Sequence, residues 1–470
     1  MDVALIARFA AISGPAHALT PQNADLSRYT HENRNLIIGL TPLVLRPGST
    51  SEVAAIVKLA SQTLTPLVPQ GGHTGHAGGA VPDESGTQIV VSLERMNAIR
   101  NIDVVANTIT AEAGVVLQNL RQAAENAGRL FPVVISSQGT CQIGGNISSN
   151  AGGTGVIAHG NTRDQVLGLE VVLASGEIWN GMRGLKKDNT GYAMKQLFIG
   201  AEGTLGIITA AVLRLLPLPK GREVAWAAVA APGHGLKLLN RALDVAGRDI
   251  TAFELIHRVP LDFVLANMPG NRDPLAGRHE WQVLVELSSS RSAHEGRNLI
   301  ESILAEGIET GLIVDATLAQ SESQKNALWK LRDDMGPAQA REGVSIKHDI
   351  AVPVHLVPQF LEQGAKAVAK VAPQGRLVAF GHLGDGNIHF NVSQPSGGNG
   401  KEFLSQQAAI NDAVHSLVLE LGGSISAEHG IGRLKRELLH QTKSPVEIEM
   451  MRAVKRALDP KGIMNPGKVV

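Results

Sequence analysis

The chain has a single cysteine, Cys141, in 470 residues. That excludes an intramolecular disulfide framework and any thiolate metal cluster, and it suits a reducing compartment such as the cytoplasm. There is no excess of charge of either sign, because Lys plus Arg and Asp plus Glu each number 43. Nothing global therefore favours nucleic acid or an anionic membrane, and any anion site must be built locally. No run approaches the roughly 20 apolar residues of a membrane span. The start, Met1-Asp-Val-Ala-Leu-Ile-Ala-Arg-Phe9, has an acidic second residue and no long apolar core, so it reads as a short amphipathic helix, not a signal or transit peptide. Two familiar phosphate-binding patterns are also missing: the glycines from Gly71 onward fit neither the P-loop spacing nor a glycine fingerprint opening a helix.

What is abundant is glycine, 51 residues gathered into a few loops, which points to backbone lying against a ligand. At this length, with 43% hydrophobic and 18% charged residues, the chain is a folded protein of two or three domains. Pro42-Leu-Val-Leu-Arg-Pro47 reads as a strand, Ser49-Thr-Ser-Glu52 as a capping box opening a helix that buries Val53, Ile56, Val57 and Ala60, and Thr65-Pro-Leu-Val-Pro69 as a second strand. That strand runs into the glycine loop 70–79, whose unobstructed amides suit a pyrophosphate. A second small-residue stretch, 138–153, reads equally as the other wall of an extended ligand site or as a tightly packed helix. A hairpin turns at Ser175-Gly176, and Pro217-Leu-Pro-Lys220 marks a domain boundary. Beyond it, strands at 223–231, 281–287, 312–318 and 344–352 alternate with helices at 235–246, 293–305, 321–340 and 356–371. This predicts an antiparallel sheet covered by helices.

The second half also holds Phe380-Gly-His-Leu-Gly-Asp-Gly-Asn-Ile-His-Phe-Asn391 and Ala427-Glu-His-Gly430. His382 and His389 flank a tight turn between strand-like runs, and Glu428 offers a carboxylate. Such a pair also arises by chance, but the glycine-rich context favours an open His/His/Glu metal site, with His429 beside it as a base.

Taken together, Pro69-Gln-Gly-Gly-His-Thr-Gly75, Ile143-Gly-Gly-Asn146, Lys187-Asp-Asn-Thr-Gly-Tyr192, the string from Lys195 to Thr209, the His382 and His389 motif, Ser426-Ala-Glu-His-Gly430 and Asp459-Pro-Lys-Gly-Ile-Met-Asn-Pro466 resemble the FAD-linked D-2-hydroxyacid dehydrogenases of the vanillyl-alcohol-oxidase flavoprotein superfamily. The resemblance runs from about Leu43 to Lys468 and is nearest to the hydroxyglutarate group. It implies an α+β fold: an FAD-binding domain of two α+β subdomains (PCMH/VAO type) over 1–217, a substrate cap domain with the metal site over 218–430, and a C-terminal helical segment, 431–470, returning to the FAD domain. FAD, held without a covalent link, would be bound by Pro69, Gln70, Gly71, Gly72, His73, Thr74, Gly75, Gly78 and Gly79 from the first loop. Gly139, Thr140, Gly144, Gly145, Asn146, Ser149, Asn150, Gly152 and Gly153 would come from the second, with Glu202, Gly203, Gly206, Ile207, Asn465 and Lys468 completing the set.

The resemblance further implies a divalent metal, zinc above all, on His382, His389 and Glu428. His429 would be the catalytic base and a substrate contact, joined by Asn391, Arg332 and Lys347 around the carboxylates of a D-2-hydroxyacid. Electrons would pass to an acceptor such as an electron-transfer flavoprotein or a quinone, and a homodimer is the default assembly. Gly336 and His348 stand where hydroxyglutarate members carry Thr and Tyr, so D-malate and D-lactate remain as alternatives, as does a silent electron-relay subunit. Gly-Gly-His at Gly71, Gly72 and His73 also raises a histidyl-flavin bond, with a neutral hydrogen-bonded imidazole as the expected state.

Overall fold

The computed structural model describes residues 1–32, 34 and 36–470. The chain divides into two compact units, one made of Met1–Gly152, Asn161–Leu218 and Glu428–Val470, the other of Gly153–Gly160 and Pro219–Ala427.

In the first unit the capping pair works as the sequence predicts. The Ser49 side chain accepts from the Glu52 amide at 3.2 Å, while Glu52 Oε2 accepts from the Gly48 amide at 2.9 Å, one residue before the usual return bond. The helix Thr50–Thr63 that follows buries Val53, Ile56, Val57 and Ala60. It joins two strands, Val44–Leu45 and Leu67–Gln70, which both lie parallel to Ile89–Ser92 in a four-stranded sheet. Leu67–Gln70 is the end strand of that sheet, and the C-terminal segment covers it. The Leu67 amide donates to Ile463 O and the Asn465 amide to Leu67 O, each at 2.8 Å, so the exposed edge is paired. A second, antiparallel sheet orders its strands as Ile99–Asp103, Thr108–Glu112, Ile207–Arg214, Val166–Val172 and Ile178–Gly181. The helices Leu117–Asn126 and Ile143–Ser148 bury Leu117, Leu120, Ile143 and Ile147 in its core.

The second unit is built on one antiparallel sheet, ordered Ile313–Leu318, Gly221–Val229, Trp281–Ser289, Ile250–His257, Arg376–His382, Asn387–Ser393 and Ser345–Ile346, with Asp349–Ala351 also pairing Asn387–Ser393. One face buries Phe253, Leu255, Val285 and Phe390 against the helices Pro232–Ala246, Ala293–Glu309, Val357–Val371 and Gln407–Glu420. The other buries Trp226, Ile256, Leu284 and Phe380 against Arg258–Asn267, Glu322–Asp333 and Met335–Arg341. Sequence reading passes over the strand Ile250–His257 and the helices Arg258–Asn267 and Gln407–Glu420. It also merges two pairs of elements: the expected helix 321–340 is divided at Asp334, and the expected strand 344–352 is two short strands. Among the described residues no helix is long and apolar enough to cross a membrane.

Candidate active site

In the first unit the loop leaving strand Leu67–Gln70 and the helix Ile143–Ser148 face one cleft with about 910 Å³ of empty space, part of it open to solvent. Pro69, Gln70, Gly71, Gly72, His73, Thr74, Gly75 and Gly79 line it from the first loop, and Gly144, Gly145, Asn146 and Ser149 from the second stretch. Glu202, Gly203, Gly206 and Ile207 complete the wall with His429. Among the described residues the amides of 71–75 donate to no protein acceptor. A row of such N–H groups binds a phosphate without side-chain charge. Gly75 and Gly145 would each carry a Cβ with no protein atom within 4 Å. Their missing side chains therefore widen the cleft and relieve no clash inside the protein. Gln142 Oε1 and Asn146 Oδ1 are buried acceptors without a hydrogen-bond donor among the described residues. The cleft thus offers amide donors for a pyrophosphate, acceptors for heterocyclic N–H groups and room between them, which fits FAD.

His73 sits in the left-handed region at φ 58° and both ring nitrogens are engaged: Nε2 donates to His31 O at 2.7 Å and Nδ1 contacts Gln70 Nε2 at 3.0 Å. Burial lowers its pKa, so a neutral imidazole results. With both nitrogens turned to protein groups, neither is directed to form a bond to flavin.

His429 stands at the cleft beside His76, their rings edge to face at 4.9 Å between centroids. The loop after it is fixed by Glu202, which accepts from the Ile431 and Gly432 amides at 2.8 and 2.9 Å. Burial raises the Glu202 pKa against the opposing effect of those amides. A Cβ at Gly430 would lie 2.7 Å from Glu202 Oε1, and one at Gly79 2.7 Å from Oε2. A side chain at either glycine would therefore push the carboxylate away from the two amides it holds. Glu202 lines the cleft as expected, but its carboxylate holds the loop that carries His429. Asn465 ties the same corner together, donating to Gly79 O at 2.8 Å and Glu202 O at 2.7 Å.

In the second unit, strand register explains the other cluster. Glu254 pairs with His382, His382 with Asn387 and Phe380 with His389, so strict alternation puts Glu254, Phe380, His382, His389 and Asn391 on one sheet face. Glu254 is fully buried. Its two oxygens accept from His382 Nδ1 and Arg332 Nε, each at 2.5 Å. Burial alone would push this carboxyl up, but the Arg332 guanidinium and His382 outweigh it and hold the pKa at about 2. The Arg332 guanidinium lies 4.7 Å from the Phe380 ring centre. Its Nη groups meet no acceptor among the described residues.

The His382 and His389 rings are 5.9 Å apart between centroids. A tetrahedral ion bound by both would place them roughly 5 Å apart, so the hairpin suits shared metal ligation with a small adjustment. Asn391 accepts from the His348 amide and donates to Gln339 Oε1, both at 3.0 Å. Lys347 is exposed. Asp385, in the turn between the histidines, is raised to about 6 by burial.

Some expected positions fall elsewhere. Gly78, Gly139, Thr140, Asn150 and Gly152 do not line the cleft, and Gly153 belongs to the second unit. Lys468, nearly fully buried, lines a separate pocket with Asp83, Glu84 and Arg433; burial and Arg433 lower its pKa to about 8. His348 does not present its ring to ligand: Nδ1 contacts Phe390 O at 2.8 Å and Nε2 Asn411 Oδ1 at 3.0 Å. Residues that sequence reading misses include Gln142 and Glu254. The signal for Glu254 was a lone carboxylate inside the apolar run Ile250-Thr-Ala-Phe-Glu-Leu-Ile-His257, where a charge without a partner is costly.

Residues 41–181 match the family described as FAD binding domain, and 218–469 match FAD linked oxidases, C-terminal domain. The chain is 37% identical over 92% of its length to a probable mitochondrial D-2-hydroxyglutarate dehydrogenase of Oryza sativa subsp. indica, covering 76% of that protein. It is 36% identical over 97% of its length to the D-2-hydroxyglutarate dehydrogenase of Xanthomonas citri pv. viticola, covering 94% of it. The crystal structure of p-cresol methylhydroxylase with substrate bound superposes with a TM-score of 0.78 at 16% identity, over 99% of this chain and 96% of that one, which shows a shared fold. The cleft and these matches agree: the chain belongs to the FAD-linked oxidase family and is a flavin-dependent oxidoreductase.

Proposed function

We propose that the protein oxidises a D-2-hydroxyacid, D-2-hydroxyglutarate to 2-oxoglutarate, with non-covalent FAD as the immediate electron acceptor. The observation that carries this reading is His429 on the wall of the flavin cleft, held there by the Glu202 clamp. The names of the curated relatives support the choice of acid. Bound FAD supplies a hydride acceptor at N5. A divalent ion, zinc by ligand type, would be held by His382, His389 and Glu428 and would make the C2 hydroxyl more acidic.

This chain's own residues do the rest. His429, neutral, takes the C2 hydroxyl proton as the C2 hydride leaves. Arg332 presents its Nη groups to a carboxylate, Lys347 adds a point charge, and Asn391 has a second amide hydrogen to donate. Two cations suit a diacid better than D-lactate. Gly336 favours a second reading: it offers no side-chain donor to a carboxylate, and a Cβ there would meet no atom within 4 Å, which leaves a differently shaped diacid such as D-malate. An electron-transfer flavoprotein or a quinone is the proposed final acceptor, a homodimer the proposed assembly and the cytoplasm the proposed location. Mitochondrial proteins are among the relatives.

Anaerobic mixing of the flavoprotein with D-2-hydroxyglutarate, L-2-hydroxyglutarate, D-malate and D-lactate tests the reading. Bleaching of the flavin band near ~450 nm by the five-carbon D-acid alone is expected. Preferential bleaching by D-malate or D-lactate would replace the substrate, and no bleaching by any acid would leave an electron-relay subunit.

A further inference from the structure

Glu254 is placed to do more than neutralise a buried arginine. It comes from the central strand Ile250–His257, directly opposite His382 in register, and its oxygens are divided between two partners. One accepts from a ring nitrogen on the neighbouring strand. The other accepts from Arg332 on the helix Glu322–Asp333, and takes Nε specifically.

Each choice of atom has a consequence. A carboxylate only accepts, so His382 must carry its proton on Nδ1, which puts the ring's lone pair on Nε2, the nitrogen pointed away from Glu254. Engaging Arg332 through Nε leaves the two Nη groups at the opposite edge of a planar cation whose tilt is also set by Phe380, 4.7 Å away. Phe380 in turn stands across from His389. One carboxylate thus orients an imidazole and a guanidinium at the same time.

We infer that Glu254 is a positioning residue that couples the metal ligand His382 to the carboxylate-binding Arg332, fixing the tautomer of one and the orientation of the other. This rests on the metal and substrate roles proposed above. Hydrogen-bonded partners of this kind commonly change metal affinity by about 10- to 100-fold when removed.

The test uses the full-length FAD-loaded protein, stripped with EDTA and titrated with Zn²⁺ alone against a chromophoric chelator, alongside KM and kcat for flavin reduction. Glu254→Gln keeps the shape but offers one acceptor and one donor, so it cannot accept from both partners. Expected are a zinc dissociation constant raised about 10- to 100-fold and a raised KM, with FAD content and melting temperature showing that the fold persists. The second variant, Glu254→Leu with Arg332→Met, removes both buried charges together and so guards against misfolding; with no acceptor left for His382 Nδ1, zinc affinity is expected to stay reduced. Wild-type zinc affinity in either folded variant would overturn the inference, since Glu254 would then only balance the charge of Arg332. If the wild-type protein binds no zinc, or His389→Ala binds it equally well, the metal reading itself fails and the inference falls with it.

Discussion

Facing the flavin cleft, the first unit presents backbone amides and absent side chains; on the site face of its sheet, the second presents long charged side chains that hold one another. The two are vulnerable in opposite ways. A backbone cradle has little charge to lose and is spoiled by added atoms. A buried charge network has no room to spare and is spoiled by removing one partner. Substitutions can therefore be chosen that strike one kind of recognition and leave the other intact.

The largest expected effect breaks the simple form of this contrast, because the proposed base, His429, is a side chain of the backbone-dominated unit. His429→Ala should keep FAD bound yet slow anaerobic flavin reduction by roughly 10²-fold or more. Stopped-flow absorbance checks this, and a rate near wild type would remove His429 from the chemistry. Next is Gly145→Val. No protein atom lies near its Cβ position, so thermal stability should barely change while FAD affinity falls. Overpacking costs of about 1–3 kcal/mol correspond to ~5- to 150-fold weaker binding, readable by apoprotein titration. Unchanged affinity would mean that FAD does not occupy that side of the cleft.

Glu202→Gln probes the loop. An amide places a donor against one of two backbone N–H groups that now meet an acceptor. A shifted His429 should cost roughly 10-fold in reduction rate with FAD retained, and loss of FAD instead would assign Glu202 to cofactor binding.

The smallest effect concerns Lys468. Below pH 8 it is charged both folded and unfolded, so the burial penalty is fully present. Its folded pKa of about 8 lies below the ordinary lysine value of about 10.4. The unfolded chain therefore holds the extra proton between those values, and stability should rise across that window as the penalty is relieved. Lys468→Met should be more stable at neutral pH and lose that part of the rise. Parallel wild-type and variant melting curves against pH would show that the ammonium is not desolvated.

How much of this could be read in the sequence follows the same division. The cleft was legible because its chemistry is local: Gly71, Gly72, Gly144 and Gly145 sit in contiguous strings, and the Ser49 and Glu52 pair announces the helix that delivers the first loop. The hairpin that brings His382 and His389 onto one sheet face was legible for the same reason. Glu254 was not, because its meaning depends on His382, 128 positions away, and on a helix that the sequence reading ran past its break at Asp334. Lys468 and Asn465 stand close together in the sequence, yet Lys468 lines a pocket with Asp83, Glu84 and Arg433 while Asn465 reaches Gly79 at the cleft, a separation that only the fold shows. His348 is also a non-local case: Asn411 and Phe390 take its ring nitrogens.

The most direct measurement is a single anaerobic comparison of as-purified, EDTA-stripped and zinc-reloaded protein, recording FAD per chain and the rate at which D-2-hydroxyglutarate bleaches it. If the backbone cradle holds the flavin and the charged sheet face serves metal and substrate, the stripped protein keeps its full complement of FAD, fails to be reduced, and recovers on adding zinc. Reduction at an undiminished rate after complete stripping, or loss of FAD together with the metal, would contradict that division of labour.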